Sequence, residues 1–397
     1  MLDAPRRYFS HLTLWVPLIV LFFAVVANLA LVPVSPTPAS VSSSILTGFV
    51  FVISGLGASV CWDAYRVRGV KENLLGVGGT LRLLLWLLSP VVIWSLISFA
   101  VLWVLTWVQL GLAVPPAPIG VYLALLMCLA WASLAVALAW SIHSGLALVL
   151  ATALPFTVTS FTWALSNPLW RHMFGVPSGC CNLGGIINAD MVLASSLSLG
   201  ALIILAIGIT VLPRRTIMAA FTLAISAVSW IGSYAVASRV DNFVAAQPRP
   251  LAEQVCEEDM CFWPESTEAE IAANRQALAL LFQTMPPQWL PPKTAPLTIA
   301  DSHIYVGNSP EEHINIVPVG SPLNFQNSDN VPDIYARFVF DMALRAEMID
   351  YDQFFPDADF WQRWAETQES VGQSTTEDIR EAIAKGLAEW EQMGEAK

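Results

Sequence analysis

The sequence predicts an all-α polytopic membrane bundle of about seven transmembrane helices, followed by a C-terminal α+β, mostly helical, extracytoplasmic domain. Three observations carry this. Of 397 residues, 55% are hydrophobic and only 13% are charged, about half the charged share of an ordinary soluble domain. The charge is also split along the chain. Residues 1–238 hold nine Lys/Arg and four acids, a balance of +5, and the remaining 159 hold 10 Lys/Arg and 27 acids, a balance of −17. Finally, 88 consecutive residues between Arg82 and Arg171 contain no Asp, Glu, Lys or Arg. A run like that has no place in a water-facing fold, and in lipid its backbone must bond to itself, so it is helical.

Spans are expected at about 12–34, 45–61, 83–112, 119–141, 144–165, 191–212 and 217–237, together forming a transmembrane domain over 1–238. Pro and Gly mark the breaks, at Pro33 to Pro38, at Pro115-Pro116-Ala117-Pro118 and at Ser144-Gly145. The first apolar run is too long for the hydrophobic region of a cleaved signal and is read as a retained span. The 83–112 run is long for one crossing, with Pro90 as a place to kink. None of the seven stretches contains Asp, Glu, Lys or Arg, which argues against a proton- or ion-coupled relay inside the bundle. His143 is read as a turn residue.

Orientation rests on the basic residues. Arg6, Arg7, Arg66, Arg68, Lys71, Arg82, Arg214 and Arg215 fall on one side, expected to be cytoplasmic, and only Arg171 falls in the opposite loops. Seven crossings then place the C-terminal domain outside a bacterial plasma membrane. The cysteines fit this assignment. Cys61 and Cys128 lie in or beside spans, whereas Cys180, Cys181, Cys256 and Cys261 lie on the expected oxidising side. Cys256 and Cys261 can close a small loop. Cys180 and Cys181 bridge as neighbours or pair across to the first two.

Small residues recur at four-residue spacing as Ser54/Ala58 and Gly55/Ser59 in the second span and as Ser196/Gly200 in the sixth. Such faces let helices approach closely, within the bundle or across a dimer.

Several chemistries are expected to be missing. No Gly-x4-Gly-Lys-Ser/Thr, His-Glu-x-x-His or Gly-x-Ser-x-Gly occurs. Gly76-Val77-Gly78-Gly79-Thr80 is read as a loop. No catalytic residue, metal site or cofactor is expected, so the chain is not read as an enzyme. His303 with Asp301, and His313 with Glu311 and Glu312, lack fixed ligand spacing. Asp350, Asp352, Asp357 and Asp359 lack the Gly and terminal Glu of a calcium loop. The −17 domain has no footprint for nucleic acid.

In the C-terminal part, 239–250 reads as a linker and 251–397 as the acidic domain. Thr267 and Glu270 suit a capping box for a helix over about 268–285. Short β-like runs lie at His303 to Val306 and Ile314 to Val319. Helices are expected over Ile334 to Met348 and after Ser374. Trp263, Trp289, Trp361, Trp364 and Trp390 are read as core.

The segment 62–82 mixes Trp62, Tyr65, Val67 and Val70 with Arg66, Arg68, Lys71 and Arg82. It suits topology charges and headgroup contact, an amphipathic helix on the membrane, or a helix that docks on a soluble subunit. An N-terminal span, a short outer loop, a second span, this basic segment, four more spans and an outer excursion between the fifth and sixth together resemble the permease subunits of type-2 ABC exporters. The resemblance covers the layout of residues 1–213 and rests on no tight motif. It implies that Arg66, Arg68 and Lys71 form the coupling segment that seats on a separate ABC ATPase, with two permease copies or two different permeases side by side. The seventh span and outer domain depart from that pattern. With Cys256, Cys261 and then Phe262-Trp263-Pro264-Glu265, they resemble actinobacterial membrane proteins whose outer domain begins Cys…Cys-x-Trp-Pro-Glu. A rival reading is a polytopic sensor, immunity or ligand-binding protein acting through the outer domain.

Overall fold

A computed structural model describes residues 11–31, 36–69, 77–111, 114–161, 168–177, 180–181, 183–211, 216–240, 245–257, 260–268, 271–272, 274–275, 279, 297–300 and 316–318. The chain divides into two compact units, Met1–Gln247 and Pro248–Lys397.

The first unit is a helix bundle: α1 His11–Leu31, α2 Pro38–Arg66, α3 Val77–Leu110, α4 Pro118–Ser141, α5 Ser144–Phe161, α6 Ala189–Val211 and α7 Thr216–Ala237. Six helices are long and apolar enough to cross a membrane among the described residues, and α1 adds a shorter apolar stretch, Val16–Val26. Local chemistry sets their starts. Thr37 caps α2, its Oγ1 accepting from Ser40 N at 3.2 Å, and Pro38 occupies the first turn. Pro118 does the same for α4.

α2 is the most enclosed helix. Ile45, Leu46, Phe49 and Ile53 are fully buried along it. Several of its hydroxyls bond back one turn, as Thr47 does to Ser43 O at 3.0 Å and Ser54 to Val50 O at 3.1 Å, so these carry no unmet polarity into the apolar interior. Phe49 meets Phe99 of α3 edge-to-face at 6.0 Å. Glycines set the closest approaches. A Cβ on Gly57 would lie 2.5 Å from the Ala151 carbonyl oxygen of α5, and one on Gly55 would strike Val20 of α1. The Gly55 face is therefore used inside the bundle. Gly200 has nothing within 4 Å of where its Cβ would be. The outward faces of α1, α3 and α7 are apolar, with Phe22, Val108, Val228 and Ile231 exposed.

Several expectations are corrected. The second helix is longer than 45–61: it already includes Pro38 to Ser44, with Ser42 Oγ donating to Pro38 O at 2.9 Å, and Trp62 to Arg66 continue the same helical ladder. Val67 ends it, donating to Asp63 O, and residues 68–69 begin a new helical piece. Gly78, Gly79 and Thr80 are not loop but the first turns of α3, which runs unbroken through Pro90. As a result the observed helices do contain charged residues: Asp63, Arg66, Arg82 and Asp190.

In the second unit the described residues form a four-stranded sheet of β1 Val255–Glu257, β2 Met260–Phe262, β3 Leu297–Ala300 and β4 Ile316–Pro318, in that order. β1 and β2 are antiparallel, and β3 and β4 add on in parallel. A helical turn begins at Glu268, with Ile271 N donating to Thr267 O. The expected strand at 303–306 and the helices after 334 lie outside the described residues, as do His303, His313, the Asp350–Asp359 set and Trp289, Trp361, Trp364 and Trp390. β4 falls within the expected 314–319 run.

Candidate functional site

Two ends of the helical unit are built differently. One is basic. Trp62, Tyr65 and Arg66, spaced three and four apart on α2, share a face and are exposed. Arg68 turns the other way, its Nη1 donating to the Ile142 carbonyl at the end of α4 at 3.4 Å. Trp140 Nε1 donates to Ala64 O at 2.9 Å. The end of α2 and the residues just after it are thus tied twice to the end of α4. The α4–α5 turn holds His143, exposed, its carbonyl accepting from Ala147 N as α5 begins. Asp63, one residue before Ala64, is only 8% exposed. Of the three basic residues expected to dock a partner, Arg66 faces outward and Arg68 is committed to the bundle. Lys71 lies outside the described residues.

The opposite end carries the chain between α5 and α6. A 3₁₀ turn, Pro168–Met173, and residues 174–177 are seated among the helices. His172, Met173 and Phe174 are buried. Serines hold this segment by its backbone. Ser195 Oγ of α6 donates to His172 O at 2.9 Å and accepts from Gly175 N at 3.0 Å. Ser198 donates to Met173 O, and Ser43 of α2 donates to Pro177 O at 3.1 Å. Gly175 has φ +86°, and a Cβ there would lie 2.7 Å from Met127 Cγ of α4; only glycine fits both limits. A row of rings backs the segment. Trp131 meets Phe174 at 6.4 Å, Phe174 meets Trp230 at 5.9 Å, and Trp230 meets Trp170 at 6.3 Å.

The same end gathers later chain. Asn188 caps α6, its Oδ1 accepting from Asp190 N at 2.8 Å. Its own N–H donates to Ala245 O at 3.0 Å, and Ala189 N donates to Gln247 Oε1 at 3.2 Å. Cys181, Ile187, Met191, Val240 and Ala245 pack with Ala39 in one apolar cluster. Part of the expected 239–250 linker is therefore fastened to the start of α6. Cys180 and Cys181 stand at disulfide distance from each other.

In the second unit Cys256 and Cys261 also stand at disulfide distance, directly opposite across β1 and β2. Each cysteine pair thus lies within its own unit. Arg249, expected in the linker, is clasped instead. Its Nε meets Glu253 at 2.7 Å, its two terminal nitrogens meet Glu265 at 2.9 and 3.1 Å, and its guanidinium lies 4.9 Å over the buried Trp263 ring. Burial opposes its charge. The hydrogen bonds it donates to Glu265 and then Glu253 outweigh that and raise its pKa above the ordinary arginine value.

The sequence analysis singles out Cys180 and Cys181 in this stretch but misses the seat. Its signal is the cluster of large apolar residues Leu169, Trp170, Met173, Phe174 and Val176 between Pro168 and Pro177, interrupted by Arg171 and His172, together with two serines one turn apart on α6. Among the described residues no three His, Cys, Asp or Glu side chains converge to hold a metal. Comparison with protein-family models, with curated proteins and with solved structures finds no match to this chain.

Proposed function

We propose that this chain is the membrane-embedded, permease-like subunit of an ABC-type exporter, depending on a separate ATPase chain for energy. The observation that carries the reading is the double tie at the basic end. Arg68 to Ile142 and Trp140 to Ala64 join the end of α2 and the residues just after it to the end of α4, where the chain turns into α5. A push on an exposed basic helix end would therefore reach three helices at once. Arg66 and Lys71 would meet the ATPase, and Arg68 would pass the motion on. In this reading the basic end is cytoplasmic and the C-terminal domain extracytoplasmic, in a bacterial plasma membrane. Two copies, or this chain beside a different permease, would enclose the path.

The test is a pull-down from native membranes in mild detergent, with mass spectrometry of the co-purified proteins. Wild type should bring down an ATPase with a phosphate-binding Gly-x4-Gly-Lys-Ser/Thr loop. The triple variant Arg66→Glu, Arg68→Glu, Lys71→Glu should not. Absence of any such ATPase beside an intact bundle overturns the proposal. The outer domain would then be the place to seek a ligand, as the sensor reading requires.

A further inference from the structure

Arg82 stands on the outward face of α3. Leu81 and Leu85 beside it are exposed, while Leu84 and Leu87 on the other side are buried. An arginine among lipid-facing leucines needs a polar layer within reach of its stem. Helix length supplies the depth. Trp107, exposed near the far end of α3, lies twenty-five residues on, about 38 Å along the axis at about 1.5 Å per residue. That exceeds a hydrocarbon core of about 30 Å and falls just short of the full bilayer, about 40–45 Å. With Trp107 at one interface, Arg82 reaches the headgroups of the other.

α2 gives the same depth from the opposite chain direction. Its 29 residues from Pro38 to Arg66 cover about 43 Å. They end at the basic side in Trp62, Tyr65 and Arg66, with Trp62 39% and Tyr65 41% exposed. Aromatic side chains with one wet edge belong at this level. α2 and α3 are packed neighbours, through Phe49 and Phe99. Two outward arginines flanked by amphipathic rings therefore share one layer. A guanidinium fork matches phosphate oxygens better than it matches water.

We infer that Trp62, Tyr65, Arg66 and Arg82 form a binding belt for the phosphate of anionic phospholipid headgroups. The arginines hold the phosphate and the two rings lie in the glycerol layer. This goes beyond the exporter reading and does not rest on it, since the belt needs no ATPase; the two readings compete for Arg66, while Arg82 belongs to the belt alone.

The full chain would be reconstituted alone into vesicles of equal parts phosphatidylcholine and phosphatidylglycerol. It would then be extracted in mild detergent and its retained lipids weighed by native mass spectrometry. Wild type should keep phosphatidylglycerol in preference to phosphatidylcholine, and added salt should weaken that preference. The double variant Arg66→Gln, Arg82→Gln should lower phosphatidylglycerol retention by about tenfold to thirtyfold, with phosphatidylcholine unchanged. Arg66→Lys, Arg82→Lys, which keeps the charge but loses the fork, should restore only part of it. Undiminished phosphatidylglycerol in a monodisperse double variant would overturn the inference and leave these arginines to a protein partner. So would equal retention of both lipids by wild type.

Discussion

Ser43 of α2 donates its hydroxyl to the carbonyl of Pro177, 134 residues later in the chain, at 3.1 Å. One small side chain thus fastens the segment between α5 and α6 to the most enclosed helix of the bundle. Ser195 secures that segment from α6 through both its donor and its acceptor.

Ser195→Ala should cost more than Ser43→Ala. The first strands both His172 O and Gly175 N in a buried site, the second only Pro177 O. About 1–3 kcal/mol is expected for Ser195→Ala and about half that for Ser43→Ala. Thermal unfolding of the purified chain in mild detergent would show the order. Equal losses would mean that Ser195 does not serve two partners.

Gly175→Ala should destabilise the bundle by at least about 2 kcal/mol, combining a disfavoured backbone angle with the collision at Met127. Adding Met127→Ala should recover the collision but not the angle. Full recovery in the double variant would contradict the left-handed conformation.

Gly57→Ala meets backbone, not a flexible side-chain tip, so α5 must move away from α2. A loss of about 2–4 kcal/mol is expected, in the range of overpacked and then parted cores. Gly200→Ala has open space and should change the melting temperature by less than about one degree, or raise it slightly by removing chain freedom.

Alkylation under non-reducing conditions should leave Cys180, Cys181, Cys256 and Cys261 unlabelled. Buried Cys61 and Cys128 should react only after unfolding. Replacing Cys256 and Cys261 by Ser should cost about 2 kcal/mol, the value for so short a closed loop. Labelling of either pair in the folded chain would remove the bridge.

Arg249→Lys should loosen the start of the second unit by about 1–2 kcal/mol, because lysine keeps the charge but loses the fork and the stacked plane. The pKa of Arg249 is raised in the fold. The stability linked to its charge is therefore complete below the ordinary arginine value and is lost only as pH climbs past it. A pH series from 6 to 9 of the difference between wild type and Arg249→Lys should show no step due to this residue. Hydrogen exchange at Cys256 to Trp263 would read the loosening.

The apolar runs make the helices legible, because lipid leaves backbone no other way to satisfy itself. Their ends are harder to read. Ser40 to Ser44 resemble an outer loop because serine is polar, yet in α2 Ser42 bonds back to Pro38 O and Ser43 reaches Pro177 O. Trp62 to Arg66 resemble a separate segment for the same reason. Gly78 and Gly79 suggest a loop, but no turn opposes their helical bonds. Arg66 stands on an exposed face. The inward turn of Arg68 is invisible in the sequence, since its partner is the Ile142 carbonyl, 74 residues on. The seat at Ser195 and Ser198 is illegible because its bonds go to main-chain atoms, which every sequence has. The clasp at Arg249 hides in a stretch whose prolines read as a tether.

Every described tie between Ser43, Ser195, Ser198 and the seated segment runs between a neutral hydroxyl and a main-chain group. Such dipolar bonds offer ionic screening nothing to act on. Raising the salt should leave this seat undisturbed. A helix that shifts by a fraction of a turn, by contrast, would part all of these bonds together, since they come from only two helices. The seat would respond as a mechanical detent: indifferent to the bath around it, and released in one step by displacement of α2 against α6.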